Sequence, residues 1–293
     1  MSISKELDLA IKIAETESTV GGYSVGERTY ETYMTNAKWK IFKESMLAHA
    51  LAEYGEGGGD ELTEKNGRPP KMASYGSSSR MIYTLSCHNK EFHYEKKLPT
   101  TIGGIANLDG FLEKDNRYVF VEAKCHEPYS TKSNSVSKSY EKLYNYINEQ
   151  MSDNLKILMT TSKCGRYMNV EYFANKEKLE SFDLKQMICH LLGIATGIIK
   201  GTLHKKQIDF IYLLYDPNEL DLSKDSKAEI NSIYERTCYE CNLVDFTTLF
   251  GVILTFLNSE KYNNEISQDD IDKIVCKFTF ALVSQEYYSV LLH

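Results

Sequence analysis

The sequence predicts an α/β protein: a central sheet of mixed strand direction flanked by helices, followed by a helical C-terminal extension. Three features point there. Phe42, Met46, Leu47, Ala50, Leu51 and Tyr54 recur at helical spacing. Two apolar runs, Gly104–Leu112 and Arg117–Cys125, flank the turn sequence EKDNR. IDFIYLLYD, bounded by Pro217, is apolar without alternation, as suits a strand covered on both faces.

Along the chain, a first helix is expected near Asp8–Glu17 and a stronger one over Asn36–Tyr54. The stretch GEGGGDELTEKNGRPPKMASYGSSSR, Gly55 to Arg80, is rich in Gly, Pro and Ser and reads as a long mobile loop. It lacks the Gly-Lys-Ser/Thr ending of a phosphate loop, so nucleotide binding has little support. Strands are expected at Met81–Cys87, Phe92–Lys97, Gly104–Leu112 and Arg117–Cys125, then a helix over Val136–Met151 and a strand in LKILMTTSK. Asp183 suits the N-cap of a helix in DLKQMICHLLGIATGIIKG, with Gly201 at its end. Beyond IDFIYLLYD lie a polar helix (Lys224–Tyr239), a mixed segment to Asn258 and a last helix from Gln268. The expected division is a core over 1–217 and an acidic, mostly helical extension over 218–293.

The bulk composition narrows the class. With 293 residues, 42% hydrophobic and 26% charged, the chain is long enough for a core without staples and has the balance of a soluble globular protein. The apolar stretch Leu249–Leu257 is shorter than the ~20 residues that cross a bilayer. MSISKELDLAIKIAETES carries charges where a signal peptide has its apolar segment, so a cytoplasmic location with no membrane association is expected. Seven scattered cysteines do not form a disulfide framework. Cys238 and Cys241 make a CxxC pair, which is half a zinc site or two cysteines on adjacent helical turns. The net charge of −7 is uneven: from Ile211 onward there are 14 acidic and 6 basic residues, leaving +1 for the rest. A polyanion would meet the first two-thirds and avoid the last third.

Chemistry concentrates in IANLDGFLEKDNRYVFVEAKCHEPY, Ile105 to Tyr129. Folding at the Asp115-Asn116 tip pairs residues whose numbers add to 231, which sets Asp109 opposite Glu122 on one face, their Cβ atoms about 4.5–5.5 Å apart. Two such carboxylates repel unless a cation lies between them, and Mg²⁺ takes oxygen ligands at ~2.1 Å. Lys124, two residues on, shares the face and can orient a water. On spacing alone the trio reads equally as a partly exposed hairpin with a Glu–Lys pair.

These residues resemble the PD-(D/E)XK nuclease superfamily: LDG with Asp109, then VEAK with Glu122 and Lys124 on the next strand. EAKCHEPY, with Glu127 and Pro128, and LKQMICHLLG, with Gln186 and His190, are similar to one restriction-endonuclease-like group within it. The likeness spans roughly Ala37 to Tyr215; Leu108 stands where the family name has proline. It implies a restriction-endonuclease-like core and a Mg²⁺-dependent DNA endonuclease of restriction or defence type, with Mn²⁺ able to substitute. Asp109, Glu122 and the backbone carbonyl of Ala123 would hold the metal, and Lys124 would position the attacking water. A further acid from the helix before the sheet is implied. Glu44, at the rim of the apolar stripe, is the candidate and Glu53, nearer its middle, the rival; each also reads as a solvated helix charge. Gln186 would lie near the scissile phosphate, with Lys185 beside it; His190 also reads as a hydrogen-bonded core residue, and Glu127 as part of a turn. Lys96, Lys97, Lys132, Lys138, Lys142, Lys163 and Arg166 supply scattered positive charge, and Tyr129, Tyr140 and Tyr144 are rings that could stack on bases.

Two other readings stand beside the nuclease. One is a non-catalytic nucleic-acid-binding protein that keeps the fold. The other is a paired-carboxylate hydrolase such as a glycosidase, against which count Lys124 beside the pair and the single Trp. The apolar C-terminal segments are expected to pack on the core or form a subunit interface; a symmetric homodimer would let two sites cut both strands.

Overall fold

The computed structural model describes residues 2–16, 18–56, 60–126, 128, 134–162, 165–205, 207–218, 220–259, 267–271 and 273–283. In order these form α1 (Ile3–Thr16), β1 (Tyr23–Val25), β2 (Arg28–Tyr30), α2 (Asn36–Ser45), α3 (Ala48–Glu56), α4 (Ser78–Ser86), β3 (His93–Pro99), β4 (Ile105–Glu113) and β5 (Arg117–Lys124). Then come β6 (Ser135–Ser137), α5 (Glu141–Gln150), β7 (Leu155–Thr161), β8 (Tyr167–Ala174), β9 (Glu177–Lys178), α6 (Leu184–Ile199), β10 (Gln207–Tyr215), α7 (Lys224–Asn242), α8 (Phe246–Ser259), α9 (Gln268–Ile271) and β11 (Val275–Val283).

The architecture is α/β, with a mixed five-stranded sheet in the order β11-β10-β5-β4-β3. β4 runs antiparallel to both β3 and β5, while β10 is parallel to both β5 and β11. Each face carries its own core. On one side Tyr118, Phe120, Phe210 and Tyr212 pack with α5, α6, α8 and an antiparallel sheet of β6, β8 and β7. On the other, Val119, Val121, Ala123 and Leu213 pack with α1, α3, α4 and the segment after α3. The one-residue offset between the two sets on β5 is the period-2 alternation of a strand.

α6 is placed by its caps and by a close approach. Asp183 accepts the N–H of Gln186 at its start, and Gly201 beyond its end takes φ +71°. A Cβ on Gly193 would lie 2.6 Å from Ala106 Cβ and 3.2 Å from Leu98 O, so glycine lets the helix backbone rest on β3 and β4. The loop before α6 wraps the fully buried Glu240 of α7, whose Oε2 accepts the N–H groups of Glu180, Ser181 and Phe182 at 3.0, 2.7 and 2.8 Å. α7 thereby fixes where α6 begins.

Several expectations change. The Asn36–Tyr54 helix is two helices, α2 and α3, because Met46 turns extended (ψ 149°) into the core and the Leu47 N–H goes to the Tyr83 hydroxyl. Met81–Cys87 is not a strand: Ser77 caps α4, whose Met81, Ile82 and Leu85 are buried. An apolar run that short is ambiguous by period alone, and the cap was the deciding signal. The described part of Gly55–Arg80 is a built segment, with Leu62, Met72, Ala73 and Tyr75 in a core. The Val136–Met151 helix starts at Glu141, after β6 and a short 3₁₀ turn. β8 was not anticipated, although Met168, Val170, Tyr172 and Ala174 alternate inward along it.

The C-terminal extension is only partly helical. α7 and α8 match the polar helix and the mixed segment, but the helix from Gln268 ends at Ile271 and β11 follows as an edge strand of the central sheet. The region after 217 therefore completes the core sheet. Among the described residues, no single helix is long and apolar enough to cross a membrane.

Candidate active site

The β4–β5 hairpin closes tightly at its tip. Lys114 and Arg117 exchange N–H···O bonds of 2.9 and 3.3 Å around Asp115-Asn116. From Glu113↔Tyr118 to Gly110↔Val121 the paired numbers add to 231, one step short of Asp109 and Glu122. The ladder ends there. Asp109 Oδ2 accepts the Ala123 N–H at 2.7 Å, a bond the next ladder step would have made with backbone. Because N–H and C=O of one strand residue point the same way, the Ala123 carbonyl also looks toward Asp109. Where the two strands part, a cleft opens.

β3 adds to the same place. Tyr94↔Gly110 and Lys96↔Leu108 leave Glu95 level with Asp109, and Glu95 takes φ +52°, a left-handed conformation uncommon outside glycine. Face alternation slips at this level in both strands. Leu98 and Tyr94 lie in opposite cores despite even spacing, while Leu108 and Phe111 share one despite odd spacing. Such a slip re-aims side chains, as bulges beside functional sites do. Glu95 and Asp109 both line the cleft.

Glu122 and Lys124 lie on the face that meets α6. Lys124 Nζ is 2.5 Å from Glu122 Oε1, and Gln186 Nε2 donates to the same oxygen at 2.7 Å. His190, one turn along α6, brings Nε2 within 2.9 Å of Glu122 Oε2, but outside hydrogen-bonding angles. The contact is electrostatic. Burial alone would raise the Glu122 pKa, yet the Lys124 ammonium and the His190 ring hold it down to about 2. Asp109 moves the other way: burial and the Glu122 charge push it well above the usual carboxylate range, against Lys124 and the Ala123 amide. Burial, with Glu61 and Glu122 nearby, pushes Glu95 up to about 7. One ionised and two proton-hungry carboxylates mark a surplus of negative charge.

The cleft is about 440 Å³ in volume. The segment before α4 contributes Glu61, Lys71 and Ser77 to its lining, and the first turn of α4 adds Ser78 and Ser79. Sequence reasoning missed Glu61 and Glu95. Glu95 sits among the charges of YEKK, and nothing in a sequence marks its positive φ. Glu61 was hidden in a segment that reads as a loop; it is buried, with Oε1 3.4 Å from Lys71 Nζ.

The two helix acids are elsewhere. Glu44 is exposed on α2, 3.9 Å from Lys40, and does not line the cleft. Glu53 binds β3 itself, at 2.6 Å from His93 Nδ1 and 2.8 Å from the Tyr94 N–H. Both are corrected by position: the acids that join the hairpin pair come from β3 and the segment before α4. Tyr144 is a core residue bonded to Tyr172, and the Tyr140 hydroxyl donates to Cys189, so neither is an open stacking platform. Lys96 lies over the Phe111 ring, and Cys238 and Cys241 sit one turn apart on α7. Glu127, Tyr129, Lys132 and Lys163 lie outside the described residues.

Among the described residues, no three His, Cys, Asp or Glu side chains converge closely enough to form a ready-made metal cluster. The donor chemistry still suits a hard divalent cation. Its atoms are carboxylate and carbonyl oxygens, the charge surplus is one a cation would relieve, and Oε2 of Glu122 and of Glu61 are buried without a hydrogen-bond partner. No protein-family model, curated protein or solved structure matches this chain.

Proposed function

We propose that the chain is a divalent-metal-dependent nuclease of the PD-(D/E)XK type that hydrolyses phosphodiester bonds in DNA. The observation that carries this reading is the meeting of Asp109, Glu122 and Lys124 at the open end of one hairpin, in a cleft, with Gln186 braced on Glu122. Asp109, Glu122 and the Ala123 carbonyl would hold Mg²⁺ or Mn²⁺, which when bound supplies positive charge to the phosphate oxygens and acidity to water.

The chain's own residues do the rest. Lys124 presents an ammonium at the carboxylate and can donate to an attacking water, fixing its approach. Gln186 and His190 hold Glu122 in one orientation. The restriction or defence role comes from the sequence resemblance, and the uneven charge favours DNA on the first two-thirds of the chain.

Incubation of supercoiled plasmid with Mg²⁺, Mn²⁺ or EDTA tests this. Nicking or linearisation should occur with either metal, stop in EDTA, and vanish in Glu122→Gln and Lys124→Met. Full cleavage by both variants would remove the mechanism. Binding without turnover under every metal would favour the nucleic-acid-binding alternative.

A further inference from the structure

A second polar pair, partly buried, stands at the same cleft. Asp8, on α1, is buried, and its Oδ1 lies 2.9 Å from Nδ1 of His126. His126 follows Lys124 by two residues, keeps the parity of Glu122 and Lys124, and lines the cleft with them. The backbone makes room for the pair: a Cβ on Gly76 would fall 1.8 Å from Asp8 Oδ1 and 2.4 Å from His126 Nδ1. Only glycine at 76 lets carboxylate and ring meet there.

We infer that His126 is the general acid of this site and Asp8 its positioning residue, an inference that rests on the nuclease reading. A carboxylate on Nδ1 fixes an imidazole's orientation and stabilises its protonated form. Phosphodiester hydrolysis needs such a donor. As the water oxygen bonds to phosphorus, the bond to the leaving sugar oxygen breaks and its electron pair stays on that oxygen. Nε2–H of the imidazolium supplies the proton, leaving neutral imidazole. The water's surplus proton passes to solvent, which reprotonates the ring once product departs, so charge and protons balance over a turnover. Asp8, Gly76 and His126 come from α1, the segment before α4 and the bend just after β5, so the long chain before the hairpin has a part in the chemistry.

The test compares two leaving groups in the whole 293-residue chain with Mg²⁺ or Mn²⁺. One substrate is ordinary DNA. The other carries bridging sulfur at the cleaved linkage, with 3′-S and 5′-S forms tried in turn, because a thiolate leaves without a proton. His126→Asn, whose amide can still reach Asp8, should slow ordinary DNA by about 10²–10⁴-fold and the sulfur substrate by less than about 10-fold. Gly76→Ala, which pushes the pair apart, should show the same selective loss, and thermal unfolding checks that each variant is folded. Equal loss on both substrates by a folded His126→Asn variant would overturn the inference and leave the pair as a brace for α1. Undiminished cleavage of ordinary DNA would overturn it too. A wild-type chain inert toward both substrates would overturn the inference together with the nuclease reading beneath it.

Discussion

Gln186 reaches from the first turn of α6 to Glu122 on β5, its side-chain amide 2.7 Å from Oε1. A helix cap therefore governs a carboxylate: Asp183 holds the Gln186 N–H, and Gln186 holds Glu122. Gln186→Ala should raise the metal concentration needed for half-maximal cleavage about 10–100-fold while leaving the fold intact. A metal titration of plasmid cleavage measures this. An unchanged midpoint would mean that Lys124 and His190 orient the carboxylate unaided.

The Glu122–Lys124 pair is almost wholly buried, with side chains 2% and 10% exposed. Removing one partner strands the other, so Lys124→Ala should lose about 3 kcal/mol of stability. Glu122→Gln combined with Lys124→Met should recover most of that loss and remain inactive. Urea unfolding of the two variants checks it. A double variant no more stable than the single one would show that the pair itself holds the sheet together.

Glu240 does not line the cleft, yet it makes three N–H bonds to the loop that launches α6. Glu240→Ala should cost about 3 kcal/mol and lower cleavage as well, since Asp183 and Gln186 follow directly on that loop. Glu44→Ala is the contrast. On the exposed face of α2 it should change stability by no more than about 0.5 kcal/mol and leave cleavage untouched.

Much of this site was legible in the chain. The turn EKDNR fixed the sum rule, the sum rule held up to Gly110 and Val121 and so brought Asp109 to the level of Ala123, and alternation put Lys124 beside Glu122. Asp183 and Gly201 bounded α6 for the same reason, since caps are local chemistry. What stayed hidden depends on distant packing. Glu95 acquires its place from a slip shared by two strands, Glu61 from a segment whose Gly and Pro content suggests a loop, and the break after α2 from the Tyr83 hydroxyl. β11 was missed because Val275–Val283 gains its meaning only beside β10.

Glu95 gives a pH signature. Its pKa in the fold, raised to about 7 by burial and neighbouring acids, exceeds the ordinary value of 4.5, so the folded state binds the proton more tightly. The stability it contributes is fully present below pH 4.5 and is lost as pH rises through about 7. Without metal, Glu95→Gln should therefore raise the melting temperature by about 2–4 °C at pH 8 and scarcely at all at pH 4.5. Added Mg²⁺ should shrink that gain. Equal shifts at both pH values would mean that the carboxyl is solvated.

The last described strand, β11, bonds in parallel to β10, which in turn bonds to the strand bearing Glu122 and Lys124. A nascent chain emerging from the ribosome exposes the β4–β5 hairpin long before the edge strand β11. Until those final residues arrive, β10 offers a bare backbone margin to its neighbours. The protein is thus least protected against clumping at the moment of its synthesis when the cleft's own strands are already in place.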